Sequence, residues 1–573
     1  MSLRKSLLGA TASLAFASMA MADAHEGERG RDGQLNILYW QAITILNPYL
    51  SGGTKDLQAA SMILEPLANY DEGGTLVPTL AVDIPTVANG GVSADLTSIT
   101  WTLKPGLLWS DGTPVTANDA VFTWQYCTAE GGGCAQASKF DGVANVEAVD
   151  DATIKVTFAG PTPYPYNAFV ANQAPIIQAA QFADCMGAKA PECTAANFGP
   201  IGTGPFVVTN FLTNDVVEYA ANPNYRDPMK PAFATVTIKG GGDAAGAGRA
   251  VLETGEFDYA WNLQLAPDVI QGMMAGGKGE VISGFGTNVE RLELNLSDPS
   301  AALPEAERST IAHPHPFLSN PMVREALSIA IDRQLLVDVG YGPAGQPTCN
   351  LVPAPAIYNS DNTGCLTQDL AKAAALLDEA GFPVGGDGIR VNADGVRLSI
   401  LYQTTTNAVR QDVQALVKDA WNSIGVEVEL RNIDAGVFFG GDAASPDTYQ
   451  RFYADVEMFT NNFEGNDPQS YLAQHTCDSM PSPDTQWQGE NINRYCDAGY
   501  DALVVSMSQS TDPAERAALA IQMNDMLTKD SNVIIPLIHR GTVSARALSL
   551  GGVKLNAWDT ELWNIADWYR MGE

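Results

Sequence analysis

Histidine and basic residues are the scarce components of this chain. Five His and 32 Lys plus Arg stand against 66 Asp plus Glu, a formal net charge of −34 over 573 residues. A surface that negative repels nucleic acid and anionic membrane, so neither is expected as a partner. The charge selects no cationic ligand by itself, because acidic surfaces mostly serve solubility. Beyond the N-terminus no run reaches the roughly 20 apolar residues that cross a bilayer. Motifs for chemistry are scarce too. No Cys pair has CxxC spacing and HExxH is missing, so no zinc site has a ligand set. His313-Pro314-His315 supplies too few ligands for a metal. Gly276-Gly277-Lys278 lacks Walker spacing. In Ile201-Gly202-Thr203-Gly204-Pro205-Phe206, Pro205 removes an amide that a phosphate loop needs, so the run reads as a tight turn. No GxSxG elbow occurs. Carboxylates are plentiful, and only their separation in space would decide for or against a glycosidase-type pair.

What is there begins with an export leader. Arg4 and Lys5 precede the apolar run Leu7 to Met21, and Ala20-Met21-Ala22 fits cleavage before Asp23. The first cysteine is Cys127, so no lipid-bearing cysteine follows the leader and the mature protein is expected free in the periplasm. Eight cysteines in an exported chain read as disulfides. Their clustering favours neighbour pairing: Cys127 with Cys134, Cys185 with Cys193, Cys349 with Cys365, and Cys477 with Cys496.

A chain this long exceeds one hydrophobic core, so at least two lobes are expected. Gln34 to about Asn288 is rich in short strands and turns, with Thr116 and Asp119 forming a capping box before a helix through Tyr126. After Asn295 the pattern changes. Asn320 and Pro321 open a helix predicted to run to Val339. Leu398–Tyr402, Ala408–Ile424 and Val426–Leu430 then read as strand, helix and strand, a βαβ-like unit. Aromatic residues stand in loops rich in Gly, Asn and Pro, among them Trp40, Tyr49, Tyr164, Tyr166, Trp261, Phe463 and Trp487. Ligand pockets use such side chains for contact area, although most large apolar groups are core.

Several runs occur in the order of a known family. They are Glu65-Pro66-Leu67 with Leu76 to Ala81, Trp101 to Gly106 running into Trp109 to Asp119, and Gly202 to Phe206. Val323 to Leu327 with Ala330 to Arg333, then Ala373 to Gly381, continue the series. In these the chain resembles the family-5 solute-binding proteins of ABC transporters, which include dipeptide- and oligopeptide-binding proteins. The resemblance implies an α/β, two-lobed periplasmic binding protein fold with an extra β-rich subdomain, about 82–200, in the N-terminal lobe. That lobe would hold 23–290, the C-terminal α/β lobe 291–536, and a tail, 537–573, would return to the first. It also implies a monomer that closes over a small, peptide-like ligand and is recognised by inner-membrane permease subunits, with no cofactor and no catalysis.

Peptide-binding members carry a tryptophan and an ammonium-holding Asp where this chain has Asn461-Asn462-Phe463-Glu464-Gly465-Asn466-Asp467. Glu464 falls at the amine-binding position and Asn461 at the Trp, with Phe463 and Asp467 beside them. Cys477 and Cys496 match a disulfide position of dipeptide binders. Tyr49, Ser51, Gly52 and Gly53 sit where family members offer backbone contacts, and Arg291 and Arg431 are the candidates for a ligand carboxylate. Other members bind opines, oligosaccharides or metal complexes, and the rival from another class is an exported hydrolase.

Overall fold

The computed structural model describes residues 28–442, 444–463 and 465–572. The leader expected over 1–22 and the amine position Glu464 lie outside these described residues.

Two large sheets organise the chain. The strand Gln34–Tyr39 alternates, and its Leu35, Ile37 and Tyr39 are fully buried. It lies parallel to both Thr235–Gly240 and Tyr259–Trp261 at the centre of a seven-stranded sheet. Thr542–Ala547 fills the place between Tyr259–Trp261 and Gly279–Gly284, antiparallel to both. A separate three-stranded sheet, Ser98–Thr102, Thr153–Phe158 and Val143–Asp150, stands beside it. The helix Ala117–Thr128 packs on that sheet, and its capping box of Thr116 and Asp119 is formed. Trp101 and Trp109 join this region to the core of the first sheet.

The second lobe is built on a six-stranded sheet in the order Gly345–Pro347, Ile534–Arg540, Val289–Leu294, Val456–Asn461, Ser399–Thr405, Glu427–Ile433. Its parallel pair, Ser399–Thr405 with Glu427–Ile433, is connected by the helix Ala408–Ser423, which buries Val409, Val413, Val417 and Trp421. The single helix expected over Pro321–Val339 is two helices, Pro321–Ile329 and Arg333–Gly340. Asp332 breaks it by accepting the Leu335 N–H at 3.0 Å. Buried Arg333 pins the turn, donating to the carbonyls of Pro536, Ser328 and Cys365.

The chain passes between the sheets twice, from Gly284 to Val289 and from Arg540 through Gly541 to Thr542. The two passages are bonded to each other: Arg540 N–H donates to Asn288 O at 3.0 Å, and Asn288 Nδ2 donates to Thr542 Oγ1 at 2.9 Å. Away from this edge the lobes meet along the rim. Gly465 N–H donates to Trp558 O at 2.6 Å, and Gln486 Nε2 donates to Gly131 O at 2.9 Å. All eight cysteines pair as neighbours, Cys127–Cys134, Cys185–Cys193, Cys349–Cys365 and Cys477–Cys496.

Candidate functional site

The cleft between the lobes is lined by polar, charged and aromatic groups. Its first-lobe wall contains Gly52, Gly53, Asn172, Trp261, Asn262, Asp559 and Glu561. The second lobe contributes Arg410, Phe439, Tyr449, Phe459, Asn461, Asn462 and Glu490, and Asn288 and Arg540 close the hinge side. Asn407 caps the helix Ala408–Ser423, placing Arg410 in its first turn.

At the hinge end two guanidiniums share one carboxylate. Glu290 is fully buried and accepts from Arg410 Nε at 2.8 Å, Tyr341 hydroxyl at 3.0 Å and Gln264 Nε2 at 3.2 Å. Arg540 donates to Thr460 Oγ1 and to Asn262 Oδ1, both at 2.8 Å, and the Thr460 hydroxyl donates in turn to Glu290. Burial opposes charge on Glu290, but Arg410 and Arg540 outweigh it and hold the carboxyl below its ordinary range. Glu290 thus answers both cations, Arg410 by direct hydrogen bonds and Arg540 through Thr460.

Two other carboxyls are poised near neutrality. Burial pushes Glu561 up to about 7, although the Ser544 and Tyr259 hydroxyls donate to it. Burial also pushes Glu490 up to about 7 against the donation from Tyr449. The lobes approach closely at this point, since a Cβ on Gly52 would lie 2.5 Å from the Tyr449 hydroxyl.

Of the residues singled out in the sequence, Gly52, Gly53 and Asn461 line the cleft, as does Trp261. Ser51 lies just behind, donating to Asp56 and accepting from Gly53 N–H. Tyr49 is fully buried and donates to Pro175 O at 2.5 Å. Phe463 packs on Tyr471, and Asp467 is ion-paired with Arg516 at 2.6 Å. Arg291 is buried against Glu293, and Arg431 pairs with Asp447 on the edge strand Glu427–Ile433. The turn at Gly202–Phe206 is consumed by the fold, for Gly204 N–H donates to Ile63 O and Thr203 to Glu65. His313 and His315 pair with Glu307 and Asp455.

Arg410, Arg540, Glu490 and Glu561 escaped the sequence reading. One signal was available for Arg410, because a cation in the first turn of a helix opposes the helix dipole and implies another use. Among the described residues, no group of three His, Cys, Asp or Glu is placed to hold a metal ion, and no helix is long and apolar enough to cross a membrane.

Known proteins resemble this chain in sequence and in fold. Protein XP55 of Streptomyces lividans is 32% identical over 389 residues, which span 67% of this chain and 64% of that protein, just under two thirds. The glutathione-binding protein GsiB of Salmonella typhimurium is 25% identical over 514 residues, 89% of each chain. The fold matches that of the oligopeptide-binding protein AppA of Bacillus subtilis, solved with a nonapeptide, at a TM-score of 0.79 and 20% identity over 95% of this chain and 100% of that one. The model of the bacterial extracellular solute-binding proteins, family 5 Middle, matches residues 75–480. The chain belongs to the family-5 bacterial extracellular solute-binding proteins.

Proposed function

We propose that the protein captures a peptide or another small amine-bearing acid between its lobes in the periplasm and presents it to the permease of an ABC importer. The ligand's carboxylate sits against Arg410 and Arg540. The placing of two guanidiniums together in the lining of the cleft is the observation that carries the reading. The amine faces the loop Asn461–Gly465, whose Glu464 the family resemblance aligns with an ammonium-holding carboxylate. A ligand touching both walls favours the closed state over the open one by its differential contacts, and the closed outline is what a permease recognises. No bond is made or broken. A relative named for glutathione and a structural neighbour holding a nonapeptide support a peptide-like ligand.

The test is a thermal-shift screen on protein stripped of ligand by unfolding and refolding. Tripeptides, the same tripeptides N-acetylated, oligosaccharides and nickel chelates form the panel. A ligand at one hundred times its Kd adds about 2.7 kcal/mol to stability. Free-amine peptides should raise the Tm of the wild-type chain, and Arg410→Met should abolish the rise. A rise with oligosaccharides or nickel chelates alone overturns the reading.

A further inference from the structure

Behind the cleft, in the first lobe, lies a second cavity of about 300 Å³, whereas the cleft itself leaves only about 80 Å³ between the lobes. Asn172 belongs to the lining of both spaces.

The cavity's charged groups are matched among themselves. Arg226 donates to both oxygens of Glu65, at 2.6 and 2.8 Å. Lys230 pairs with Asp567 and Asp227. What remains are two buried acceptors without a hydrogen-bond partner, Oδ1 of Asn69 and Oδ1 of Asn172. Asn172 is only 4% exposed. Buried amide oxygens are almost always satisfied, so an orphan beside a cavity calls for a donor that the chain itself does not supply. A larger space of about 700 Å³ joins the cleft past Glu490, yet none of the atoms left unpartnered belongs to its lining among the described residues.

Asn172 is held in place by an unusual backbone. Phe169 and Ala171, neither of them glycine, have φ of 62° and 65°. Their carbonyl and amide are fastened to the neighbouring strand, Leu67 N–H to Phe169 O at 2.8 Å and Ala171 N–H to Ala68 O at 2.9 Å. The Asn172 N–H donates to Asp559, another lining residue of the cleft. Left-handed conformations at bulky residues persist only where surrounding contacts enforce them.

We propose that Asn172 is a specificity-determining residue, accepting an N–H from a primary amide or guanidinium side group of the ligand, which enters the cavity behind it. The inference rests on the peptide-like ligand proposed above.

Three tripeptides test it by calorimetry: Gly-Gln-Gly, Gly-Arg-Gly and Gly-Met-Gly. The first two carry a side-chain N–H donor and the third, of similar length, does not. Leaving a buried acceptor unpaired is penalised, so the donor peptides should bind the wild-type chain about tenfold tighter or more. Asn172→Leu keeps the volume and removes the acceptor. It should erase the ratio. Asn172→Asp should retain Gly-Arg-Gly, and it serves as the readout if the unliganded melt shows that the leucine variant is misfolded. An unchanged ratio in Asn172→Leu, or a wild-type chain without preference, overturns the inference and leaves the peptide reading standing. Binding of none of the three overturns both.

Discussion

One contact between the lobes is made at a residue with no room for a side chain. Gly465 donates its N–H to Trp558 of the opposite lobe at 2.6 Å, with φ of 77°. A Cβ there would lie 2.3 Å from Cζ of Tyr70, against the 3.4 Å at which ordinary contact begins. Gly465→Ala therefore requires a displacement of about 1 Å at this contact between the lobes, the difference between those two distances. The hydrogen bond to Trp558 is worth about 1 kcal/mol net, and overpacking of this kind typically adds about 1–3 kcal/mol. A penalty of about 2–4 kcal/mol on the closed state alone weakens ligand binding by about thirty- to a thousandfold, at 1.4 kcal/mol per decade. Calorimetry with a tripeptide that binds the wild type measures the loss. The left-handed backbone adds a strain of about 1–2 kcal/mol for alanine in either state, and Gly395→Ala isolates that part. Gly395 has φ of 83° and nothing within 4 Å of its would-be Cβ. The control should lower stability but leave affinity intact. Wild-type affinity in Gly465→Ala, or an equal loss in both variants, would refute the reasoning.

Three further outcomes follow from the same contacts. Glu290→Gln leaves Arg410 and Arg540 buried without their carboxylate and should destabilise the protein by about 3–5 kcal/mol in urea titrations. Glu561 keeps its proton to about 7 when folded but gives it up near its ordinary value of 4.5 when unfolded. Its contribution is complete below the lower value and is lost as pH rises through the upper one, about 3 kcal/mol in all. The stability difference between wild type and Glu561→Gln, followed by urea melts from pH 4 to 8, should move by that amount, and a flat difference refutes the assignment. Replacing Cys349 and Cys365 together by Ser opens a loop of sequence separation 16 and should lower stability by about 3 kcal/mol, read from the same melts.

Local signals carried the sequence reading a long way. The capping box at Thr116 and Asp119 needs only four residues to be recognised, and it is formed. The amphipathic run at Ala408–Ser423 and the four neighbouring cysteine pairs are likewise local events. The site is different because it exists only by convergence. Arg410 meets Glu290 across 120 residues, and Arg540 joins them from the second passage between the sheets. Neighbours on a strand face opposite ways, so choosing Arg291 or Glu290 from sequence amounts to choosing a face, and a slip of one residue reverses it. An irregularity between Glu290 and Arg291 where they pair with Ile534–Arg540 removes even the alternation rule at that point. Asn172 offers no sequence signal, for an orphaned acceptor is defined by what does not surround it.

The strand Thr542–Ala547 sits inside the first sheet, between segments that precede it by more than two hundred residues. The first lobe therefore cannot finish assembling until the whole second lobe has been synthesised and threaded past. Order of synthesis and order of folding are uncoupled, and the early segments must wait with an open seam. Contacts so distant along the chain make for slow folding. The first sheet stays unfinished until Thr542–Ala547 arrives.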